Sequence, residues 1–261
     1  MSVEEWDRGS EAGAETFMID RLERPLKVSE RLARDLARRI VSDDLAEGTR
    51  LPVEHKLASS YGVGRASVRE ALRLLETRGV LRVKTGVGGG PVVRRPRPND
   101  LAESLTLLLQ FEAASLGDVI EAREALEATA AGLAASRVSD ETLSEMDCTV
   151  EAMRTHPHDH GLFLQQNARF HSLCLQASGS VILRIFSETL HSVSDGAIVG
   201  VEYPLRHRMV VADVHERIIA QLRDRNESGA EQAMREHLRS AAKYWQTNYP
   251  ELMNRPVSWV F

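Results

Sequence analysis

The chain has 261 residues, 43% hydrophobic but only 5% aromatic, with a net charge of −5 and two cysteines. No run of about 18 apolar residues is present, which excludes a membrane-spanning helix, and the acidic first twenty residues hold no apolar signal-peptide core. Cys148 and Cys174 share no metal-type spacing and read as small buried residues of a reducing cytoplasm; the aliphatic composition favours a helical core.

Charge is unevenly distributed. Residues 1–20 carry one basic and six acidic side chains, residues 21–98 carry 18 and nine, and residues 99–261 carry 14 and 23. A basic block joined to an acidic one fits a polyanion-binding module fused to a second unit. In chain order, residues 1–25 are expected as a disordered arm. Val28, Leu32, Leu36 and Ile40 recur every four positions and predict a helix with one apolar face. "LAEGTRLP" ends it. A short helix follows in "VEHKLASSY", closed by Gly62. In "GRASVREALRLLETRG", Val68, Leu72 and Leu75 form an apolar stripe and Gly79 is the stop. "VLRVKTGVGGGPVVRR" reads as strand, glycine loop, strand, because Leu81 and Val83 alternate with Arg82 and Lys84. These elements make a first domain over residues 26–95. The prolines of "RRPRPN" place a linker at 96–99. Beyond it, helices are predicted at about 100–112, 116–136, 140–154, 160–177, 181–194, 206–223 and 228–247. They form an all-α domain over 100–248, followed by a tail at 249–261. The fold class is therefore mostly α, an N-terminal winged helix-turn-helix ahead of a helical bundle.

"LASSYGVGRASVREAL" carries the most specific chemistry. A helix, a glycine turn and a second helix opening with Arg65, Ser67 and Arg69 is a helix-turn-helix pattern. Arginine in the first turns of a recognition helix can hold guanine O6 and N7 with two hydrogen bonds in the major groove. The glycine hairpin, with Lys84, Thr85 and Gly86 at its edge, would be the wing. The stretch from "RIVSDDLAEGTRLPVEHKLASSYGVG" through "RASVREALRLLETRGVL" resembles the winged-helix domain of the GntR family of bacterial transcription regulators. The agreement includes Gly48, Leu51-Pro52, Glu54, Arg65, the Val68-to-Leu72 run and Gly79. The resemblance implies that Arg65 and Arg69 contact double-stranded operator DNA, with Ser67 nearby. His55 stands where the family often has a DNA-touching arginine. Gly64 stands where serine or threonine is usual.

The second domain is read through its histidines. "THPHDH", residues 155–160, is broken by Pro157 and reads as a solvated loop. His215 and His237 are more informative, because they lie equidistant from Asn226 in the polar turn "DRNESG". If the two helices fold back antiparallel, the two imidazoles stand level, about 16 Å from the turn. Asn167 and His171 share one face of another helix at i, i+4. Three imidazoles and one oxygen from three helices would suit a divalent ion. Imidazoles favour zinc or nickel, and manganese or iron fit the same set. "NARFHSLCLQASGS", "VHERIIAQLRDRN" and "AEQAMREHL" resemble the all-helical FCD effector domain of the FadR branch. There an acid four residues before the first histidine joins two later histidines as ligands. By motif position His171, His215 and His237 match, and Asn167 replaces the acid. Arg123, in "DVIEAREALEATAAGLAA", matches an arginine facing the effector cavity, where it could pair with a carboxylate. Its alternative is a surface i, i+4 pair with Glu127.

The leading functional reading is a cytoplasmic, ligand-responsive regulator, a repressor that binds an inverted repeat as a homodimer and senses a small organic acid near a metal. Two alternatives stand beside it. One is a constitutive DNA-binding protein whose second domain only dimerises. The other is a metal-dependent hydrolase, which would need an acid facing the ion; Glu216 and Glu236 adjoin ligands in sequence but point about 100° away.

Overall fold

The computed structural model describes residues 27–84, 86, 89–195 and 200–258. Contacts divide the chain into two compact units, one ending at Arg94 and the other beginning at Arg95. Thr85 of the expected wing edge and the arm at residues 1–25 lie outside the described residues.

The first unit is three helices and a hairpin. Helix α1 (Val28–Ser42) buries Leu32, Ala33, Leu36 and Ile40. Helix α2 (Glu54–Tyr61) buries Leu57 and Ala58, and α3 (Arg65–Thr77) buries Val68, Ala71, Leu72 and Leu75. These stripes meet in one core with Leu81 and Val93. Strands β1 (Leu81–Lys84) and β2 (Gly90–Val93) pair antiparallel, Leu81 opposite Val93 and Lys84 opposite Gly90. The connection between α1 and α2 is laid along β2 by Gly48 N–H to Val93 O and Leu51 N–H to Pro91 O, both 2.9 Å. Gly62 ends α2 in the left-handed region, φ 62°, which costs a residue with a Cβ about 1–2 kcal/mol.

The second unit is all helical: α4 (Pro98–Phe111), α5 (Leu116–Ala135), α6 (Asp140–Thr155), α7 (His160–Ala177), α8 (Val181–Ser194), α9 (Leu205–Arg223), α10 (Glu227–Asn248) and the short α11 (Pro250–Asn254). Pro98 occupies the first helical position of α4, where its missing N–H costs nothing, so the helix starts inside the expected linker. Ser115 and Asp118 form a reciprocal cap at the start of α5, and Ser139 caps α6 through Thr142 N–H. The expected tail at 249–261 holds α11, where Met253 is buried, and Val257 N–H returns to Ala114 O at 2.8 Å.

Helix α5 is central. Ala128, Ala130, Ala131, Ala134 and Ala135 are fully buried. This small-residue surface lets α10 approach closely: a Cβ on Gly132 would stand 3.4 Å from Glu227 O and Glu231 Cβ. Phe170, Met146, Ile218, Leu222 and Met234 fill the surrounding core. Cys174 is buried but Cys148 is exposed, correcting the expectation that both are interior; Cys148 sits on the solvent side of α6, between Asp147 and Thr149.

Nothing lies within 4 Å of a Cβ built on Gly62, so a substitution there tests the backbone alone. Gly62→Ala should lower stability by about 1–2 kcal/mol in urea denaturation, and Gly62→Asn by less. Equal stability of all three proteins would refute the left-handed turn.

Candidate functional site

Two sites can be built from these elements. At the first, Gly64 enters α3 in an extended conformation and offers no side-chain cap, so the first N–H groups of α3 remain open to solvent or phosphate. Arg65 and Arg69 are exposed and Ser67 is half-buried, while Val68, Ala71 and Leu72 anchor the opposite side. Arg69 donates to Glu54 on α2 at 3.2 Å with more than half its side chain exposed, a pair weak enough to exchange for another anion. His55 is exposed beside Glu54. Lys84, at the end of β1, and Gly86, φ 93°, are exposed on the hairpin.

The second site lies inside the helical unit. The turn between α9 and α10 is set by Arg225 at φ 56° and by Asn226, whose side chain accepts from Gly229 N–H at 3.0 Å. The antiparallel pair places His215 and His237 with their Nε2 atoms 3.3 Å apart. His171 of α7 brings its Nε2 to 3.3 Å from that of His237, and the three ligand atoms lie within 4.8 Å of one another. All three rings are buried. Phe170 stacks on His215 at 3.8 Å and holds its plane.

A neighbouring carboxylate orients the cluster. Glu127 of α5 is 2% exposed. One oxygen accepts from Arg123 Nε at 2.8 Å, and the other stands 2.6 Å from His171 Nδ1. The carboxylate therefore holds the ring by its Nδ1 edge and aims Nε2 toward the other two histidines. Arg123 continues the chain to Ser194 of α8 at 2.9 Å. Burial alone would push the Glu127 carboxyl up, but Arg123 and His171 hold it well below the ordinary range. Burial, with repulsion from His171, lowers His237 to about 3; burial and the other two rings also lower His215. Both imidazoles are thus neutral near pH 7, the form that binds metals.

Two tetrahedral ligands about 2.0–2.1 Å from zinc are about 3.3–3.4 Å apart. The two 3.3 Å separations match that spacing, so the imidazoles fit a divalent ion. Asn167 is half-buried and lines the same small cavity, about 60 Å³, as His171, His237 and Arg123. The Arg123–Glu127 pair exists, but it is buried rather than on the surface, because it lies on the face of α5 turned to α7 and α8, while Asp118, Ala122, Ala125 and Thr129 hold the solvent side. The acids weighed for hydrolysis point elsewhere: Glu216 binds Arg154 at 2.7 Å and Glu236 accepts from Gln232.

Sequence reasoning did not identify Glu127 as the partner of His171, nor His191. His191 of α8 lines the cavity with its Nδ1 buried and without a hydrogen bond, and burial lowers it to about 3. The signal for Glu127 was the set of alanines that follows it at 128, 130, 131, 134 and 135, which marks this half of α5 as packed against other helices. His191 had no comparable signal.

A winged helix-turn-helix joined to a helical unit with a buried polar centre defines a DNA-binding regulator with a sensor domain. The chain carries a domain of the gntR family of bacterial regulatory proteins, whose model matches residues 28–89, followed by an FCD domain, whose model matches residues 118–240. It is a transcription regulator rather than an enzyme. It is 27% identical over 252 residues to the HTH-type transcriptional repressor NanR of Klebsiella aerogenes, covering 92% of this chain and 95% of that one. The NanR repressor of Cronobacter sakazakii is 26% identical over 232 residues, covering 85% and 88%. The solved structure of Streptococcus agalactiae GntR superposes with a TM-score of 0.61 at 27% identity, covering 82% of this chain and 99% of that one.

Removing one partner of a buried ion pair strands the other. Arg123→Met should therefore destabilise the helical unit by about 3–5 kcal/mol, and adding Glu127→Gln should restore part of the loss. Denaturation curves of the two variants provide the check; a double variant no more stable than Arg123→Met would contradict the buried-charge account.

Proposed function

We propose that the protein is a ligand-responsive repressor. It binds an inverted-repeat operator as a homodimer and senses a small carboxylate beside a divalent metal, zinc foremost with nickel, manganese or iron as alternatives. The observation that carries this reading is the convergence of three buried imidazoles, two of which, those of His171 and His237, line a cavity with Arg123. His171, His215 and His237 would hold the ion and Asn167 would supply an oxygen. When bound, the metal offers a Lewis-acid centre for an acid effector, and Arg123 supplies a complementary cation. The repressor reading draws on the names of the NanR relatives.

The homodimer follows from half-site symmetry. A surface for it is available: α4 packs on α8, and together they expose Leu101, Leu108, Phe111, Val181, Ile182 and Phe186. An apolar patch of this kind on a water-facing surface favours association. On DNA, Arg65, Ser67 and Arg69 would read the major groove, with His55, Lys84, Thr85 and Gly86 on the backbone or minor groove. Domain limits of 26–95 and 100–248, with a linker at 96–99, belong to the same reading, as does a cytoplasmic location.

Metal analysis of protein purified without chelator should find about one divalent ion per chain. His215→Ala should abolish it, and Asn167→Asp should tighten zinc binding by restoring a carboxylate. Metal-free protein whose thermal stability does not respond to added zinc, nickel or manganese would remove the metal from this scheme. Arg69→Ala should weaken operator binding by about 1–3 kcal/mol and relax base preference at one position. Unchanged affinity and preference would unseat it as a reading residue.

A further inference from the structure

One face of α1 has a composition the fold does not require. Arg31, Arg34 and Arg38 are spaced three and four apart and exposed, so they stand on one side of the helix. Arg34 and Arg38 are like charges at i, i+4, an arrangement that weakens an isolated helix. Two acids of α1 are near this row: Glu30, four positions before Arg34, makes no ion pair with it, and Asp35 is already engaged. Asp35 accepts from the Tyr61 hydroxyl at 2.8 Å and pairs with Arg39 at 3.0 Å, with Arg38 farther away at 3.5 Å. Those contacts fasten α1 to the end of α2, and the Arg39 guanidinium lies over the Tyr61 ring. Among the described residues, Arg31 and Arg34 have no ion-pair partner.

The position of this face matters as much as its charge. Arg31, Arg34 and Arg38 line an open groove of about 730 Å³ whose other wall is Tyr61 and Val63. Val63 lies in the turn of the helix-turn-helix, two residues before Arg65. The groove therefore reaches the turn that leads into α3. Leu32, Leu36 and Ile40 bury the opposite side of α1, so the row sits on a fixed platform.

We propose that this groove is a second DNA contact, a seat for backbone phosphates flanking the half-site, with Arg31 and Arg34 as its principal cations. Planar guanidinium groups hold phosphate oxygens in pairs, and DNA presents a phosphate charge about every 1.7 Å of its axis. The contact adds affinity without reading bases. It rests on the DNA-binding role given to α3, and the two can be tested apart.

The test uses the full chain and a duplex that the wild-type protein recovers from a random-sequence pool. Binding is measured from 50 to 200 mM salt for wild type, R31Q/R34Q and R69A. Each lost phosphate contact lowers the slope of log K against log[salt] by about 0.9, so R31Q/R34Q should lose about 1–2 from the slope. Its preference for the recovered duplex over a scrambled one should stay unchanged at a fixed salt concentration, as should its melting temperature. An unchanged slope in R31Q/R34Q, with R69A still impaired, overturns the phosphate seat alone. A wild-type protein that recovers no duplex overturns the DNA reading itself. The acidic residues 1–20 are the rival occupant: if deleting them tightens binding in wild type but not in R31Q/R34Q, and the slope of R31Q/R34Q matches wild type, the groove serves the protein's own chain and the proposal fails.

Discussion

The helical unit depends on one carboxylate that is kept out of water. An ionised Glu127 inside an alanine-rich helix is tolerated only when both oxygens are compensated. Arg123 satisfies one and His171 faces the other. This requirement ties three helices together, because Arg123 also reaches Ser194 of α8. It fixes the orientation of the His171 ring as well, and with it the direction in which Nε2 faces the other two histidines. Packing and chemistry cannot be separated here. The small residues of α5 that admit α10 are the same residues that remove water from Glu127.

The two units use charge in opposite ways. In the first, cations stand in solvent and their pairing is loose, as with Arg69 and Glu54. Such pairs contribute little to stability and give way readily to a polyanion. At the centre of the second, the charges of Arg123 and Glu127 are buried, paired and costly to disturb. A surface that binds a long, uniformly charged partner gains from exchangeable contacts. A centre that must present lone pairs in a set direction gains from contacts that do not exchange.

Much of this was legible in the sequence, for identifiable reasons. Helices with one apolar stripe, such as α1 and α3, are periodic, and α3 is also bounded by Gly64 and Gly79. The level placement of His215 and His237 needed only a turn and equal spacing. The Glu127 contact was harder to see. Arg123 and Glu127 at i, i+4 have the spacing of an ordinary solvated pair, and spacing alone does not report what packs around a helix. The alanines at 128, 130, 131, 134 and 135 reported part of it, since they crowd the second half of α5 with apolar surface and leave the stripe of Asp118, Ala122, Ala125 and Thr129 to water. His191 reaches the cavity only through the way α8 crosses α5 and α7, a tertiary arrangement that leaves no periodic trace. The short α11 was read as tail because five residues are too few to establish a period.

The hairpin of α9 and α10 works as a ruler. His215 and His237 each stand eleven positions from Asn226, and their meeting depends on those two counts being equal. Substitutions along either helix leave the counts alone. One residue inserted between a histidine and the turn would advance its ring by about 1.5 Å and rotate it by about 100°, carrying it out of the cluster. The arithmetic of chain length is thus as strict a constraint on this centre as the identity of its side chains. Relatives that keep the three imidazoles must keep both intervals, however far the rest of their sequences diverge.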